Sequence, residues 1–549
     1  MTIPLLLLLL AATPPQTQAP SIGETIEVSI VNVDVVVTDR NGNRVRGLTK
    51  DDFEILESRK PQAITNFAEY SSAMQASSTG TDAPKKAVES APRQPRTIVL
   101  FIEQMQLEET QAKAMVAAIR ELLNKTVEPG DAVSIVLFNT RSDLQVQYTD
   151  DPEVIGEALD HVAELITGRM PDPLRNMRED LESMRAWIKE VSSLDRPLNP
   201  VLVAMGEAED ERNNTVQTEA TAALAEIRKR VRTINSVIDS MASRDGKKIL
   251  LLATRRLGRV AGAEYFFAAG SVTLEGPTVK KFGTETLMKT IVANANAAGV
   301  TIYPIYAPVT AQQVRDASTN TAANHELDNL VGMNEMASLT DIARDTGGLA
   351  ASNVPEIVKL LPRVEDDLTD YYSLAYRASG SRDDRTREVV VRAKNREYVV
   401  RARREHVEKT DATLMKDRVV AKLIRDFDNA AFEIAGEIGA LKKQGNSELV
   451  PLKVRIPIKD LTLLPADGKN TASYSVFVAS ADSAGNISDV VQQTHSYEIA
   501  DADMDRAMEG VLTFSCELAV ASKADRVAVG VFDEVSKTWG LLRLPIARR

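Results

Sequence analysis

Apolar and polar positions change their rhythm several times along the chain. From Glu24 to Tyr70 they alternate, as in "IEVSIVNVDVVVTD", and a period of two predicts half-buried strands. "RNGN" at 40–43 predicts a tight turn, because Asn-Gly tolerates positive φ. Further strands are expected around Phe53 to Leu56 and Ala63 to Tyr70. This unit, residues 21–70, is too small to hold a core alone. Residues 71–96, rich in Ser, Ala and Pro without an apolar period, read as a linker.

From Thr97 the pattern becomes short, almost continuous apolar runs. They are "TIVLFI" at 97, "AVSIVLF" at 132, "KILLLAT" at 248 and "VTIYPIY" at 300. Strands buried on both faces of a parallel sheet look like this. Between them lie helical stretches such as "QAKAMVAAIRELLNK" and "TLMKTIVANANAAG", and alternating strand and helix predicts a doubly wound α/β sheet over 97–370. Residues 165–245 are too long for one crossover. They hold two helical pieces, read as an inserted hairpin projecting from the sheet.

"LTDIARDTGGLA" predicts a helix closed at Gly347-Gly348. Residues 371–405 have strand character with a turn near Gly380. We expect them to pack with 24–70 into one composite β domain, since each set is small and the two bracket the sheet. A helical connector over 406–445 carries Leu414, Val419, Leu423, Phe427 and Phe432 at helical spacing. Residues 446–549 return to alternating strands, which predicts a β-sandwich.

Composition narrows the function. The chain has 549 residues, long enough for about three or four domains. Its 66 basic and 78 acidic side chains give a charge of −12, which speaks against nucleic acid as a partner. With one cysteine, Cys516, no intramolecular disulfide can form, and multi-cysteine zinc sites are excluded. Cys516, on an alternating strand, reads as a core hydrophobe. His161, His325, His406 and His495 show no helical pairing that would build a metal site. The apolar run Ile3 to Ala12 has the length of a signal-peptide core, with a small-residue cut at Thr17-Gln18-Ala19, so residues 1–20 are expected to direct export. No later segment reads as transmembrane, and a periplasmic or secreted location is expected.

No catalytic motif stands out: G-x-S-x-G, a P-loop, H-E-x-x-H and a strand-linked G-x-G-x-x-G are all absent. The acidic pairs Asp51-Asp52, Asp366-Asp367 and Asp383-Asp384 are adjacent, do not share a helix face, and read as solvated surface. Asp150 or Asp151 reads as a helix N-cap before Pro152. In "VRAKNREYVVRARRE", Arg392, Lys394, Arg396, Arg401, Arg403 and Arg404 could dock an acidic partner or the protein's own acidic surface, or stand exposed.

Several of these stretches together resemble a known family. "VNVDVVVTDRNGNRVRGLTKDDFEILESRKPQAITNFAEY", "PGDAVSIVLFN", "DGKKILLLAT", "ANAAGVTIYPIYA", "LTDIARDTGG" and "DLTDYYSLAYRASGSRDDRTREVVVRAKNREYVVRARR" follow, in order, blocks of the von Willebrand factor A-related proteins of acidobacteria. The resemblance implies a von Willebrand factor A-like sheet with a helical insertion, flanked by a small β domain and a C-terminal β-sandwich, acting as a binding module.

Domains of that type often hold Mg²⁺ through a D-x-S-x-S loop after the first strand, a threonine from a second loop and an aspartate after a later strand. Laid onto this chain, the loop falls at Glu103, Met105 and Leu107, and the later aspartate at Thr254. A thioether and an isobutyl group cannot ligate magnesium, and Arg255 and Arg256 oppose a nearby cation. We therefore expect a degenerate metal site and no cofactor. Glu103 then reads as a carboxylate favoured by the dipole of the following helix, and Arg255 and Arg256 as a solvated loop or as contacts for an acidic partner. The expected function is non-enzymatic binding or adhesion to another protein or an envelope surface, through Glu103, Gln104, Met105, Gln106, Arg255 and Arg256. The alternatives are a metal-dependent receptor or enzyme with an unrecognised site, and a structural envelope protein.

Overall fold

A computed structural model describes residues 30–71, 94–103, 107, 109–138, 144–167, 199–242, 244–268, 276–306, 322–378, 382–424, 430–445, 447–466, 468–483 and 485–547. The chain is a mixed α/β protein with several sheets. The export segment at 1–20, most of the linker, Phe427 and the turn near Gly380 lie outside the described residues.

The alternating N-terminal segment forms β1 (Ile30–Thr38), with Val31, Val33, Val35 and Val37 buried. The turn after it is closed by the Asp39 carboxylate, which accepts the amides of Asn41 and Asn43, with Gly42 at φ 86°. It leads to a single bridge, Thr38 with Arg44, rather than to a paired strand. Then follow β2 (Phe53–Glu57), β3 (Lys60–Gln62) and β4 (Ile64–Tyr70).

The four apolar runs form β5 (Arg96–Glu103), β6 (Ala132–Phe138), β8 (Lys247–Ala253) and β9 (Val300–Ile305), parallel to one another in one sheet. An antiparallel edge strand, β7 (Leu144–Thr149), gives the order β7-β6-β5-β8-β9. Within each apolar run alternate residues serve opposite layers. Ile98, Leu100 and Ile102 meet α1 (Glu109–Thr126), α2 (Pro152–Ile166) and α8 (Val354–Thr369). Val99 and Phe101 meet α3 (Asn199–Ala242), α6 (Glu285–Ala298) and α7 (Ala322–Thr346). Asp151 caps α2 by accepting the Glu153 amide at 2.9 Å, with Pro152 in the first turn. The short helices α4 (Ala263–Ala268) and α5 (Pro277–Phe282) lie between β8 and α6.

The reading of 165–245 as a projecting hairpin needs correction. Residues 168–198 lie outside the described residues, but α3 buries Leu224, Ile227, Val231, Ile234, Ile238 and Met241 against the sheet. This half of the segment is a layer of the domain, because its apolar residues recur at helical spacing and find the second sheet face uncovered.

After α8 the chain forms β10 (Tyr371–Arg377), β11 (Thr386–Ala393), β12 (Val399–Ala402) and β13 (Glu405–Val407). They interleave with the N-terminal strands in two four-stranded sheets, β12-β1-β10-β4 and β13-β11-β2-β3, around one core. Asp367 of α8 ties this unit to the central sheet. Its carboxylate is fully buried and accepts from Tyr303 Oη of β9 at 2.6 Å, from Arg401 of β12 at 2.5 and 2.6 Å, and from Arg44. The expectation that Asp366-Asp367 is solvated surface therefore fails for Asp367. Among the basic residues of "VRAKNREYVVRARRE", Arg401 docks on the protein's own acid, and Arg403 donates to the carbonyls of Asn296 and Asn32.

A helix, α9 (Asp411–Ile424), joins the composite unit to the C-terminal sandwich. The connector is shorter than 406–445, since β14 (Ala435–Ile438) and β15 (Lys442–Gln444) already pair with β16 (Ser447–Pro457). The remaining strands are β17 (Leu464–Ala466), β18 (Lys469–Asp482), β19 (Val491–Ala500), β20 (Val511–Ala521), β21 (Ala524–Asp533) and β22 (Trp539–Pro545). β20 joins the β16 sheet, and the others form a second antiparallel sheet across a shared apolar core. Cys516 on β20 packs beside that core, and burial pushes its thiol up to about 11. Met415, Val419 and Leu423 of α9 pack on the outer face of β18 and β21. Gly530 permits this, because a Cβ there would meet Val419 Cγ2 at 2.8 Å.

Two consequences are measurable. Burial would raise the pKa of Asp367, but the charges of Arg401 and Arg44 outweigh it and hold the carboxyl below its ordinary 3.8. Asp367→Asn should cost about 3–5 kcal/mol in urea unfolding, because it leaves buried guanidinium charge uncompensated. A depressed folded pKa stabilises above the ordinary value, so the wild-type advantage should persist at neutral pH and shrink as pH falls below about 4. Asp239 of α3 behaves oppositely. Burial, then the facing charge of Asp417 on α9, push it up to about 7 against Lys409 and Arg418. Its ionised form is penalised in the fold, so stability should fall as pH rises from about 4 to 7. Asp239→Asn should raise the melting temperature above pH 7 and leave it unchanged below pH 4.

Candidate functional site

Parallel strands end on one edge of their sheet, so the residues after β5 and β8 meet there. Glu103, the last residue of β5, is only 8% exposed, and Thr254, just past β8, is fully buried. Glu103 Oε2 accepts the Thr254 hydroxyl at 2.8 Å and the Arg255 amide at 3.0 Å. Oε1 accepts Nε of Arg230 at 2.6 Å, reaching in from α3. The expectation that Glu103 is held by a helix dipole is thus corrected: its partner is a guanidinium from across the sheet. Burial works against the charge of Arg230, but Glu103, followed by Glu226 and Glu335, outweighs it and raises its pKa.

Gln104, Met105 and Gln106 lie outside the described residues. Leu107 is 1% exposed, packs in the core beneath α1 and α2, and donates its amide to the Ile166 carbonyl at 2.8 Å. The place where a hydroxyl ligand would stand is therefore occupied by a packed isobutyl group.

Arg255 and Arg256 are half-buried rather than a solvated loop. Arg256 adopts φ 59°, and its amide donates to Glu335 Oε1 of α7 at 3.0 Å. The loop continues against α7, where the Asn334 side chain bonds the Val260 amide and carbonyl, each at 3.1 Å. At Gly262, φ 67°, a Cβ would stand 2.6 Å from Ala220 Cα of α3. The loop is thus clamped between two helices. Beside it opens a cleft of about 160 Å³ whose lining includes Glu219, Arg230, Arg256, Glu264, Tyr265 and Glu335. Burial raises the pKa of Glu264, and also that of Glu335 against the opposing charge of Arg255. Tyr265 is pushed up to about 12 by burial and then by Glu219.

These residues do not fit the magnesium that the resemblance would place here. Both oxygens of Glu103 already hold donors, one of them a cation, and Leu107 faces the core. Among the described residues no group of three His, Cys, Asp or Glu side chains is spaced to hold a metal. What the arrangement can do is present charged groups from a rigid edge. Arg230, Glu264 and Glu335 were not singled out from the sequence. Arg230 did leave a signal, because it interrupts the apolar stripe Ile227, Val231, Ile234 at a position that must face the sheet.

No family model matches the chain, and no curated protein matches it. Solved structures that match include the pilus adhesin SpaC from Lactobacillus rhamnosus GG in an open conformation, at 8% identity and TM-score 0.23, covering 93% of this chain and 58% of that one. The human COPII-coat protein Sec24c matches at 10% identity and TM-score 0.22, covering 59% of this chain and 46% of that one. Three N-terminal domains of the type V pili tip protein Mfa5 from Porphyromonas gingivalis match at 10% identity and TM-score 0.21, covering 96% and 78%. This chain thus spans little more than half of the SpaC chain and less than half of the Sec24c chain. At TM-scores of this size nothing about role passes from them to this protein.

The ion pair predicts a definite mutational pattern. Arg230→Ala, which strands a buried carboxylate, should lower stability by about 3–5 kcal/mol in urea unfolding. The pair Glu103→Leu with Arg230→Met should cost far less than the sum of its two single substitutions. Additive costs would show that the two side chains do not act together.

Proposed function

We propose that this chain is an extracytoplasmic protein-binding or adhesion module of the von Willebrand factor A-related kind, in which the Glu103–Arg230 ion pair stands in for the metal. Support comes from the ordered sequence blocks and from the mainly parallel sheet carrying helices on both faces. The observation that carries the reading is Arg230 Nε at 2.6 Å from Glu103, which puts a fixed cation where a mobile one would be bound. A permanent guanidinium makes the face independent of divalent ions. The partner is another protein or an envelope surface, met by the loop at Arg255 and Arg256 and by Gln104, Met105 and Gln106 beside Glu103. The apolar N-terminal run favours export to the periplasm or beyond. No helix among the described residues is long and apolar enough to cross a membrane. No step of catalysis is assigned.

Cross-linking of the full chain in its native envelope, with and without EDTA, tests this. The same partner should be captured in both conditions, and in equal amount. Capture that requires Mg²⁺ and is lost in Glu103→Ala would overturn the reading.

A further inference from the structure

Charge at the top of the sheet does not balance. Glu219, Glu226, Glu264 and Glu335 line the cleft together with Arg230 and Arg256, Arg255 acts on Glu335 from beside it, and Arg230 is already committed to Glu103. Glu335 is 6% exposed. Its Oε1 holds the Arg256 amide, the Tyr306 hydroxyl and the charge of Arg255 also favour its carboxylate, and its Oε2 is buried and meets no donor at hydrogen-bonding geometry. A buried carboxylate oxygen without a donor is costly, and the cost is recovered when a donor enters.

We propose that this cleft receives a basic side chain, specifically an arginine, from a partner protein. The inference rests on the reading of this edge as a binding face and names the chemistry that face recognises. A small metal ion is the wrong guest, because the carboxylates are not clustered at ligand spacing. A guanidinium spreads five donors over a planar fork, so it can serve separated carboxylates at once. The volume of about 160 Å³ holds such a head group with part of its stem, and Ala223 and Ile227 in the lining supply apolar surface for the methylenes. Here the fixed cation is internal, and the group left wanting a partner is an acid.

Acetyl-arginine methylamide titrated into the full chain by calorimetry tests this, with the neutral acetyl-citrulline methylamide as its isostere. The arginine compound should bind saturably, the citrulline compound at least tenfold more weakly. Glu335→Gln and Glu264→Gln should each weaken arginine binding at least tenfold while melting no lower than the wild type, since each removes a charge that its surroundings disfavour. Absence of saturable binding, equal binding of the two compounds, or unchanged binding in both variants would overturn the inference. If EDTA-insensitive capture is found but the arginine compound does not bind, this inference fails alone. If the compound binds as described but capture requires Mg²⁺, the reading of the preceding subsection fails alone.

Discussion

The buried pair of Glu103 and Arg230 sets the upper edge of the central sheet. A carboxylate at the end of the middle strand of a five-stranded sheet, 8% exposed, must have its charge answered. A divalent ion could answer it only with further oxygen ligands, and this chain offers Leu107 to the core instead. A guanidinium brings its own fixed donors and asks for no other ligand. Once Arg230 fills that role, α3 must lie across the sheet at one height and one rotation, and the loop from Thr254 to Gly262 must close against it. A buried pair need not be more stabilising than an apolar replacement. It does specify an arrangement, because a helix shifted by one residue would strand both charges.

A second buried acid performs the equivalent task for the composite β unit. Asp367 gathers Tyr303 from the sheet, Arg401 from β12 and Arg44 from the segment after the first turn. The three donors come from chain segments spread over more than 350 residues. Two small β segments unable to bury a core separately gain one together, and Asp367 fixes how that shared core sits against the α/β domain. Charge and apolar burial divide the work: valines and aromatics in β1, β2 and β10 supply the cohesion, and the acid supplies the register.

The parallel strands were legible because burial on both faces leaves an uninterrupted apolar run, and β5, β6, β8 and β9 all carry one. β7 carries no such run: as an edge strand it reads "LQVQYT", a strict but short alternation of apolar and polar residues. Of the candidate site, Glu103 and Thr254 were legible by position alone. Their meeting could be anticipated from parallel strands ending on one edge, and their partner could not. Arg230 lies 127 residues from Glu103, within a segment whose amphipathic character was seen without knowing which surface it would cover. Asp367 was misjudged for a related reason: two adjacent aspartates look solvated until the fold shows that only one of them faces inward. Glu335 and Glu264 are not legible locally, because nothing in the surrounding sequence distinguishes a buried or half-buried glutamate on a helix from an exposed one.

The position of Arg230 also bears on how the parts of the molecule are held together. Nine residues separate it from Asp239 on α3, and nine residues at 100° each place the two on opposite sides of the helix, about 13 Å apart along its axis. One side therefore meets the sheet through a satisfied ion pair. The other meets α9, and through it the C-terminal sandwich, at a contact where Asp239 and Asp417 repel. The apolar packing of α9 on β18 and β21 and the close approach at Gly530 must hold that contact against its own charge. The two sides of this stretch of helix are thus under different control. The attachment at the upper edge of the sheet is fixed by the Glu103–Arg230 ion pair, whereas the attachment to the sandwich is set by packing and weakened by ionisation of Asp239. The junction most sensitive to solution conditions is consequently the one between α3 and the sandwich, and the geometry at the cleft is insulated from it by more than two turns of helix buried against the sheet.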